Sequence, residues 1–472
     1  MDSGNGRNGG TRERNLVVLQ ISGGNDYLNT IVPYENGLYY DNRPTIAHDP
    51  DKILKIDDEI GFRPDLEPIK RFWDEGKMAI IHGIGYPEPN RSHFRSMDIW
   101  HTALPEEIGT EGWLGRVIRE MDPTAENVLT GVNFGRGLPR SMGMKGVPVA
   151  SVGNLETYGL FPDMEDEYLR KFAIDSFAKM YGSKGKDAVM DFLGQTGASA
   201  LKGADMLGTA PGKYKSSIEY GNNPIANDLK NAATVMFAGL GTRIFHTSYG
   251  SFDTHSGEVF KHDLLWQDTA RAVGDFWDDI AEHGLADDTI IFMFSEFGRR
   301  IKDNGSGTDH GSGGVAFLIG NSVRGGMYGE YPSLEEKDQI EGDLRYNNDF
   351  RMTYSSILEQ WLEIEAAPIV NGRFEQFDLH EVADLHVAFE PRALQPRRLA
   401  EPLAGQLALA FDEDLAGLSD ACLVECELIA VESRLQALEA FVHDLFCHLP
   451  VHRSGGRAGA RRVFEAEGLR IF

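Results

Sequence analysis

Cysteine is nearly absent from this 472-residue chain: there are three, Cys422, Cys426 and Cys447, all near the C-terminus, so the long segment before them holds no internal disulfide. That usage is compatible with a reducing compartment. No run of about 20 apolar residues occurs, which excludes a membrane-spanning helix and predicts no membrane insertion. Positive charge is scarce, with 46 Lys and Arg against 73 Asp and Glu and a formal charge of −27, so neither a nucleic-acid groove nor an anionic membrane patch is expected. The opening stretch, MDSGNGRNGGTRERN, has no apolar core of a secretory signal. As written, the chain is expected in the cytoplasm. What is present is ordinary for a globular protein, 41% hydrophobic and 25% charged residues, together with a carboxylate excess that is either a solubilising surface or in part a set of metal ligands.

Short β-rich apolar runs alternate with longer helical stretches from Asn15 onward. Leu16 to Ile21, Met78 to Ile84, Val147 to Val152, Thr242 to Thr247, Thr289 to Phe294 and Val315 to Ile319 read as strands. Pro64 to Glu75, Ile225 to Leu240, Asp263 to His283 and Asp349 to Ile364 read as helices between them. Continuous apolar runs separated by helices predict a mostly parallel sheet buried on both faces. Residues 160–223 read as a helical insertion over that sheet, and residues 1–14 as a flexible start. After about Val382 the composition shifts, Lys337 being the last lysine, and Ala421, Val424, Leu428, Val431, Leu435, Leu438, Val442 and Leu445 form a heptad seam. Residues 383–472 are therefore expected to be a helical extension, its long helix packed on its own domain, for instance on a helix near Leu403 to Leu415, or used for homo-oligomerisation.

Ligands of open α/β sheets collect beyond the carboxyl ends of strands, and four segments fall there. SGGND after the first strand places Asp26 behind two glycines that permit close backbone approach. SYGSFDTHS carries Asp253 and His255, which project to one side of an extended chain with Thr254 opposite, and His262 follows shortly after. TIIFMFSEFGRR ends a buried strand on Glu296, a carboxylate that must be paired, solvated or metal-bound; Arg299 is the nearest pairing partner. NGSGTDHGSGG presents Asp309 and His310 in a glycine-rich loop. Each is explicable alone as a cap, turn or ion pair. Together, four carboxylates and two histidines at several strand ends point to one or two divalent ions, with zinc, manganese, iron and calcium undistinguished. Between the second strand and a predicted helix lies NRSHFRS, where Ser92 falls near a helix N-terminus with Arg91, Arg95 and His93 beside it. That suits a serine attacking phosphorus or sulfur with guanidinium groups on the ester oxygens; the plainer role is an N-cap. No G-x-S-x-G elbow, Walker loop or G-x-G-x-x-G fingerprint is present.

LVVLQISGGNDYLNTIVPY, NRSHFRSMDIWHTA, GSFDTHS, FMFSEFGRRIKDNGSGTDHGSGG and YSSILEQWL together resemble the bacterial family known as domain of unknown function 1501, in order from Asn15 to Val382. That family is similar to the alkaline phosphatase and sulfatase superfamily. The resemblance implies a three-layer α/β/α sandwich with a metal site at the strand ends, Asp26 as the first-strand ligand, Ser92 as nucleophile, Asp253 and His255 as later ligands, and His310 as the last histidine. Two positions depart from the pattern. Glu296 and Phe297 stand where the superfamily has Asp-His, and Asp253 and His255 are two apart where four is common, which leaves His262 as a substitute ligand and makes a single ion as compatible as a pair. Family members commonly carry a twin-arginine export signal, so a trimmed start would place the protein in the periplasm or outside the cell. The function expected is metal-dependent hydrolysis of small phosphate or sulfate esters. Its alternative is a non-catalytic metal-binding scaffold that assembles through the C-terminal helix.

Overall fold

A computed structural model describes residues 13–155, Tyr158, 167–182 and 188–380. The heptad seam and the helix expected near Leu403 lie outside the described residues. Among the described residues the central sheet has nine strands: β1 (Asn15–Ile21), β2 (Met78–Gly85), β3 (Gly131–Phe134), β4 (Ala150–Val152), β5 (Ile244–Tyr249), β6 (Thr289–Phe294), β7 (Gly314–Ile319), β8 (Gly326–Tyr328) and β9 (Asn348–Asp349). Their order is β8-β2-β7-β6-β1-β5-β3-β4, with β9 also paired to β2. Every pairing is parallel except those of β7, which runs against both β2 and β6. The sheet is thus mostly parallel, as the unbroken apolar runs imply.

Alternation along β1 shows how both faces are buried. Val17, Leu19 and Ile21 enter one core, while Leu16 and Val18 enter the other. Each fully buried aliphatic side chain contributes ~1.5–3 kcal/mol of burial. The first core is closed by α1 (Glu67–Asp74), through Ile69 and Phe72, and by two later helices. The second is closed by α2 (His93–Thr102) and α3 (Trp113–Met121), whose Trp100 and Trp113 pack against the aromatic rings of Phe294 and Tyr354. Between β4 and β5 come α4 (Glu167–Gly182) and α5 (Ala188–Gly208), which pack on each other, then α6 (Pro224–Phe237), started by an Asn223 cap that accepts from Ala226 N at 2.9 Å. The 25-residue α7 (Glu258–Glu282) and α8 (Phe350–Ser356) complete the two helical layers of the α/β/α sandwich.

Differences from the sequence expectation are local. β3, β8 and β9 are two to four residues long, too short to show as apolar runs. α7 begins at Glu258 and not near Asp263. The helix expected from Asp349 to Ile364 ends as an α-helix at Ser356 and continues as a π-turn over Ile357–Trp361. Arg14, at the start assigned as flexible, is tied to Trp361 O at 2.6 Å and to Glu363 at 3.0 Å. Among the described residues no helix is long and apolar enough to cross a membrane.

The core buries three neutral histidines, His82 on β2, His246 on β5 and His101 on α2, with a measurable consequence. Burial holds His82 and His101 down at about 4 and His246 at about 3. In the unfolded chain they titrate near 6.5, so below that pH the unfolded state binds more protons and stability falls as pH falls toward 4. Each contributes ~1.4 kcal/mol per pH unit well inside that window. Urea unfolding of the His82→Gln variant is expected to show a pH slope shallower by about that amount between pH 6 and pH 4.5, and an unchanged slope would show that His82 is not held neutral.

Candidate functional site

Because β7 runs backwards, its N-terminal end opens at the same edge as the C-terminal ends of β1, β2, β5 and β6. Five loops therefore meet there. The β1 loop is admitted by Gly23 and Gly24, both at positive φ. A Cβ on Gly23 would stand 2.4 Å from Asp253 N, and one on Gly24 would stand 2.4 Å from the Phe297 ring, so only glycine lets the loops approach this closely. In the β5 loop Asp253 and His255 are exposed and Thr254 is buried, the alternation an extended segment demands.

Three histidines converge on one carboxylate. Asp253 Oδ1 lies 3.0 Å from His255 Nε2 and 3.1 Å from His310 Nε2, and Oδ2 lies 3.5 Å from His93 Nε2. The two nitrogens His255 Nε2 and His310 Nε2 are themselves 2.9 Å apart. On the far side of each ring sits an acceptor. His93 Nδ1 meets Glu296 Oε1 at 2.8 Å, His255 Nδ1 meets Asp309 Oδ1 at 3.0 Å, and His310 Nδ1 meets the Arg91 carbonyl at 2.7 Å. These acceptors assign the ring hydrogen of each neutral imidazole to Nδ1 and leave the Nε2 lone pairs facing Asp253. His93 Nε2 is buried with no hydrogen-bond partner. His93, Asp253 and His310 each bring one ligand atom within 4.8 Å of the others, a group that can hold one divalent ion. The chemistry of this donor set fits such an ion, since lone pairs facing a carboxylate repel unless a cation lies between them.

Charge around the cluster follows from the same contacts. The hydrogen bond to Glu296 is the main cause that raises His93. Burial lowers His310. Burial pushes Asp253 up, but the Arg299 guanidinium at 2.6 Å outweighs it and holds the carboxyl at about 2. Glu296 is buried, takes Gly23 N at 2.9 Å and Ser295 Oγ at 3.0 Å, and orients His93 rather than facing the cluster centre. Asp309 does the same for His255.

The remaining predicted residues lie elsewhere or are already occupied. Asp26 is fully buried and pairs with Arg43 Nη1 at 2.5 Å. His262, also buried, has the Arg63 guanidinium on Nδ1 and Asn25 Oδ1 2.9 Å from Nε2, so a cation already sits against its lone pair. Burial and Arg63 hold it well below its usual range. Both belong to a polar cluster beneath the β1 loop with Arg43, Arg63 and Glu258, residues that sequence reasoning did not select. Arg95 spends its guanidinium on Asp98 at 2.6 Å and on the carbonyls of Pro105 and Glu107, and Arg91 pairs with Asp343 at 2.8 Å. Arg299 is buried and donates to the carbonyls of Gly23, Gly24, Phe252 and Thr308, tying three of the loops together. Ser92 is at the N-cap of α2, but its exposed side chain makes no capping bond.

Residues 171–353 match the model of a family described as "Protein of unknown function (DUF1501)". No curated protein matches the chain. Among solved structures the chain is similar to the C-terminal periplasmic domain of EcEptC from Escherichia coli in complex with Zn, at 10% identity over 66% of this chain and 73% of that one, with a TM-score of 0.32. It is also similar to the lipoteichoic acid synthase LtaP from Listeria monocytogenes, at 8% identity, 71% and 76% coverage and a TM-score of 0.30. A protein in the alkaline phosphatase superfamily from Vibrio parahaemolyticus matches at 10% identity, 69% and 64% coverage and a TM-score of 0.27.

Proposed function

We propose that the protein is a metal-dependent hydrolase of small phosphate or sulfate esters, with one divalent ion held by His93, Asp253 and His310, His255 completing the set, and Ser92 as the nucleophile. The observation that carries the reading is the convergence of three imidazole lone pairs on Asp253, one of them from His93, the residue that follows Ser92 at the start of α2. A bound divalent ion would lower the pKa of a hydroxyl or water and withdraw charge from the ester oxygens. The chain supplies the rest. Ser92 carries a hydroxyl released from capping, and the N–H groups of the first turn of α2 face an anion arriving there. Glu296 fixes the His93 ring through Nδ1, and Arg299 fixes Asp253 through Oδ1. The motif resemblance to the phosphatase and sulfatase superfamily supports the same chemistry. Phe297, against both His93 and His310 with ring centroids 4.9 and 5.0 Å away, occupies the place where that pattern has a histidine, which favours one ion over two.

Metal analysis of purified protein and a panel of chromogenic phosphate and sulfate esters test the reading. About one ion per chain and hydrolysis of at least one ester are expected, with Ser92→Ala lowering kcat by ~10²-fold or more while metal content is unchanged. Stoichiometric metal with no turnover would instead support the scaffold reading.

A further inference from the structure

We infer that this site selects monoanionic oxyesters carrying an apolar group, phosphodiesters or sulfate monoesters, over dianionic phosphate monoesters; the inference rests on the ester-hydrolase reading of the same site. The first ground is charge. A dianion is ordinarily held by free guanidinium groups, and the arginines at this edge are not free. Arg91 is bound to Asp343 through Nε at 2.9 Å and Nη2 at 2.8 Å, and reaches Glu341 at 3.3 Å. Arg300 donates to the Glu341 carbonyl at 3.2 Å and lies 3.8 Å from Asp343. Arg299 is spent on backbone carbonyls and Asp253, and Arg95 on Asp98. Five carboxylates, Asp253, Glu296, Asp309, Glu341 and Asp343, thus stand with three guanidiniums, Arg91, Arg299 and Arg300, two charges short of neutrality. One divalent ion supplies those two charges and brings the group only to neutrality, so no surplus positive charge offsets a ligand's own charge and a dianion is disfavoured more than a monoanion. The formal −27 of the whole chain acts in the same direction at long range.

The second ground is the apolar rim. Phe94, next in sequence to His93, has 91% of its surface exposed. Val259 and Phe260 in the first turn of α7, only a few residues beyond His255 in the chain, are 51% and 75% exposed. An exposed phenylalanine that follows a ligand histidine directly in the chain is within reach of a ligand held there, and an apolar ester substituent is the occupant that would cover it while its charged head sits at the cluster.

Calorimetric titration of the zinc-loaded full chain at about pH 8.5, where a phosphate monoester is a dianion, tests this with diphenyl phosphate, phenyl sulfate and phenyl phosphate. Both monoanions are expected to bind about tenfold or more tightly than phenyl phosphate. Equal or tighter binding of phenyl phosphate, or no binding of either monoanion, would overturn the inference. Phe94→Ser is expected to weaken diphenyl phosphate about tenfold and leave dimethyl phosphate unchanged; an unchanged diphenyl phosphate affinity removes the apolar half. Glu341→Gln, which loosens the hold on Arg91, is expected to narrow the gap between monoanion and dianion, and an unaltered gap argues against the charge count. Turnover separates this inference from the reading beneath it. Preferential binding of monoanions with no hydrolysis of bis(4-nitrophenyl) phosphate or 4-nitrophenyl sulfate sinks the hydrolase and spares the selectivity, whereas brisk hydrolysis of 4-nitrophenyl phosphate with tight phenyl phosphate binding does the reverse.

Discussion

Replacing Asp253 with asparagine is expected to cut the affinity for zinc by ~100-fold or more while leaving the protein folded. The carboxylate is the hub of the cluster: all three histidine Nε2 atoms lie within 3.5 Å of one or other of its oxygens. An amide of the same shape removes the negative charge and replaces one acceptor oxygen by an N–H donor group, so the histidine lone pairs lose the anion that helps them hold a cation. The Asp253 side chain is 43% exposed and the buried Arg299 that it pairs with keeps its backbone carbonyl acceptors, so some loss of stability but not unfolding is the expected cost. Asp309→Asn is the graded control. It touches only His255 Nδ1 in the cluster, at 3.0 Å, and an orienting contact of this kind changes affinity by ~10-fold. A competition titration with a zinc chelator reads both. Equal effects from the two variants would mean that Asp253 is another orienting group, and wild-type affinity in Asp253→Asn would place the ion elsewhere.

The strand-end rule was sufficient to bring Ser92, His93, Asp253, His255, Glu296, Asp309 and His310 to one edge, because each follows or precedes an apolar run whose burial is written in its own residues. The pairing of Asp253 with His255 was legible for a similarly local reason, the two-residue period of extended chain. What each residue does there was not legible. His93 was read as a donor near a nucleophile, yet its Nε2 faces Asp253 because Glu296, 203 residues away, takes its Nδ1. Asp26 was read as a ligand because it ends the first strand, but Arg43 reaches its carboxylate from a separate loop, and nothing in SGGND announces that partner. Arg91 and Arg95 read from the sequence as free cations beside Ser92, and Arg299 as a partner of Glu296, whereas its guanidinium pairs with Asp253. Their commitments to Asp343, Asp98 and backbone carbonyls are long-range or turn-borne contacts that no spacing rule contains. Periodicity reports which face of an element is buried; it does not report which buried charge meets which.

Arg43→Met is expected to destabilise the fold by ~3–5 kcal/mol, the largest effect on stability anticipated for a single side chain here. Arg43 and Asp26 are both buried, 2.5 Å apart, and Arg43 also donates to the carbonyls of Ile301 and Arg300 at 2.9 Å each. A second carboxyl, Glu258, shares the pocket. It accepts from Asn29 Nδ2 at 3.0 Å and Thr308 Oγ1 at 2.8 Å, and it hydrogen-bonds Asp26. Burial and the Asp26 charge push Glu258 well above its usual range, while burial's effect on Asp26 is outweighed by Arg43, which holds Asp26 low. The pair therefore keeps one proton and one negative charge, and the guanidinium balances that charge. Removing the cation leaves a buried anion that must either stay uncompensated or take up a proton, and both cost free energy at neutral pH. The sign of the pH dependence follows: the Arg43→Met variant should recover stability relative to the wild type as pH falls and Asp26 becomes protonated. Asp26→Asn combined with Arg43→Met should restore part of the loss, since no carboxylate then needs the missing charge. Chemical unfolding in the presence of a chelator keeps metal binding out of the comparison. A loss below about 1 kcal/mol in Arg43→Met, or strictly additive losses in the double variant, would show that the guanidinium is not what neutralises this pocket.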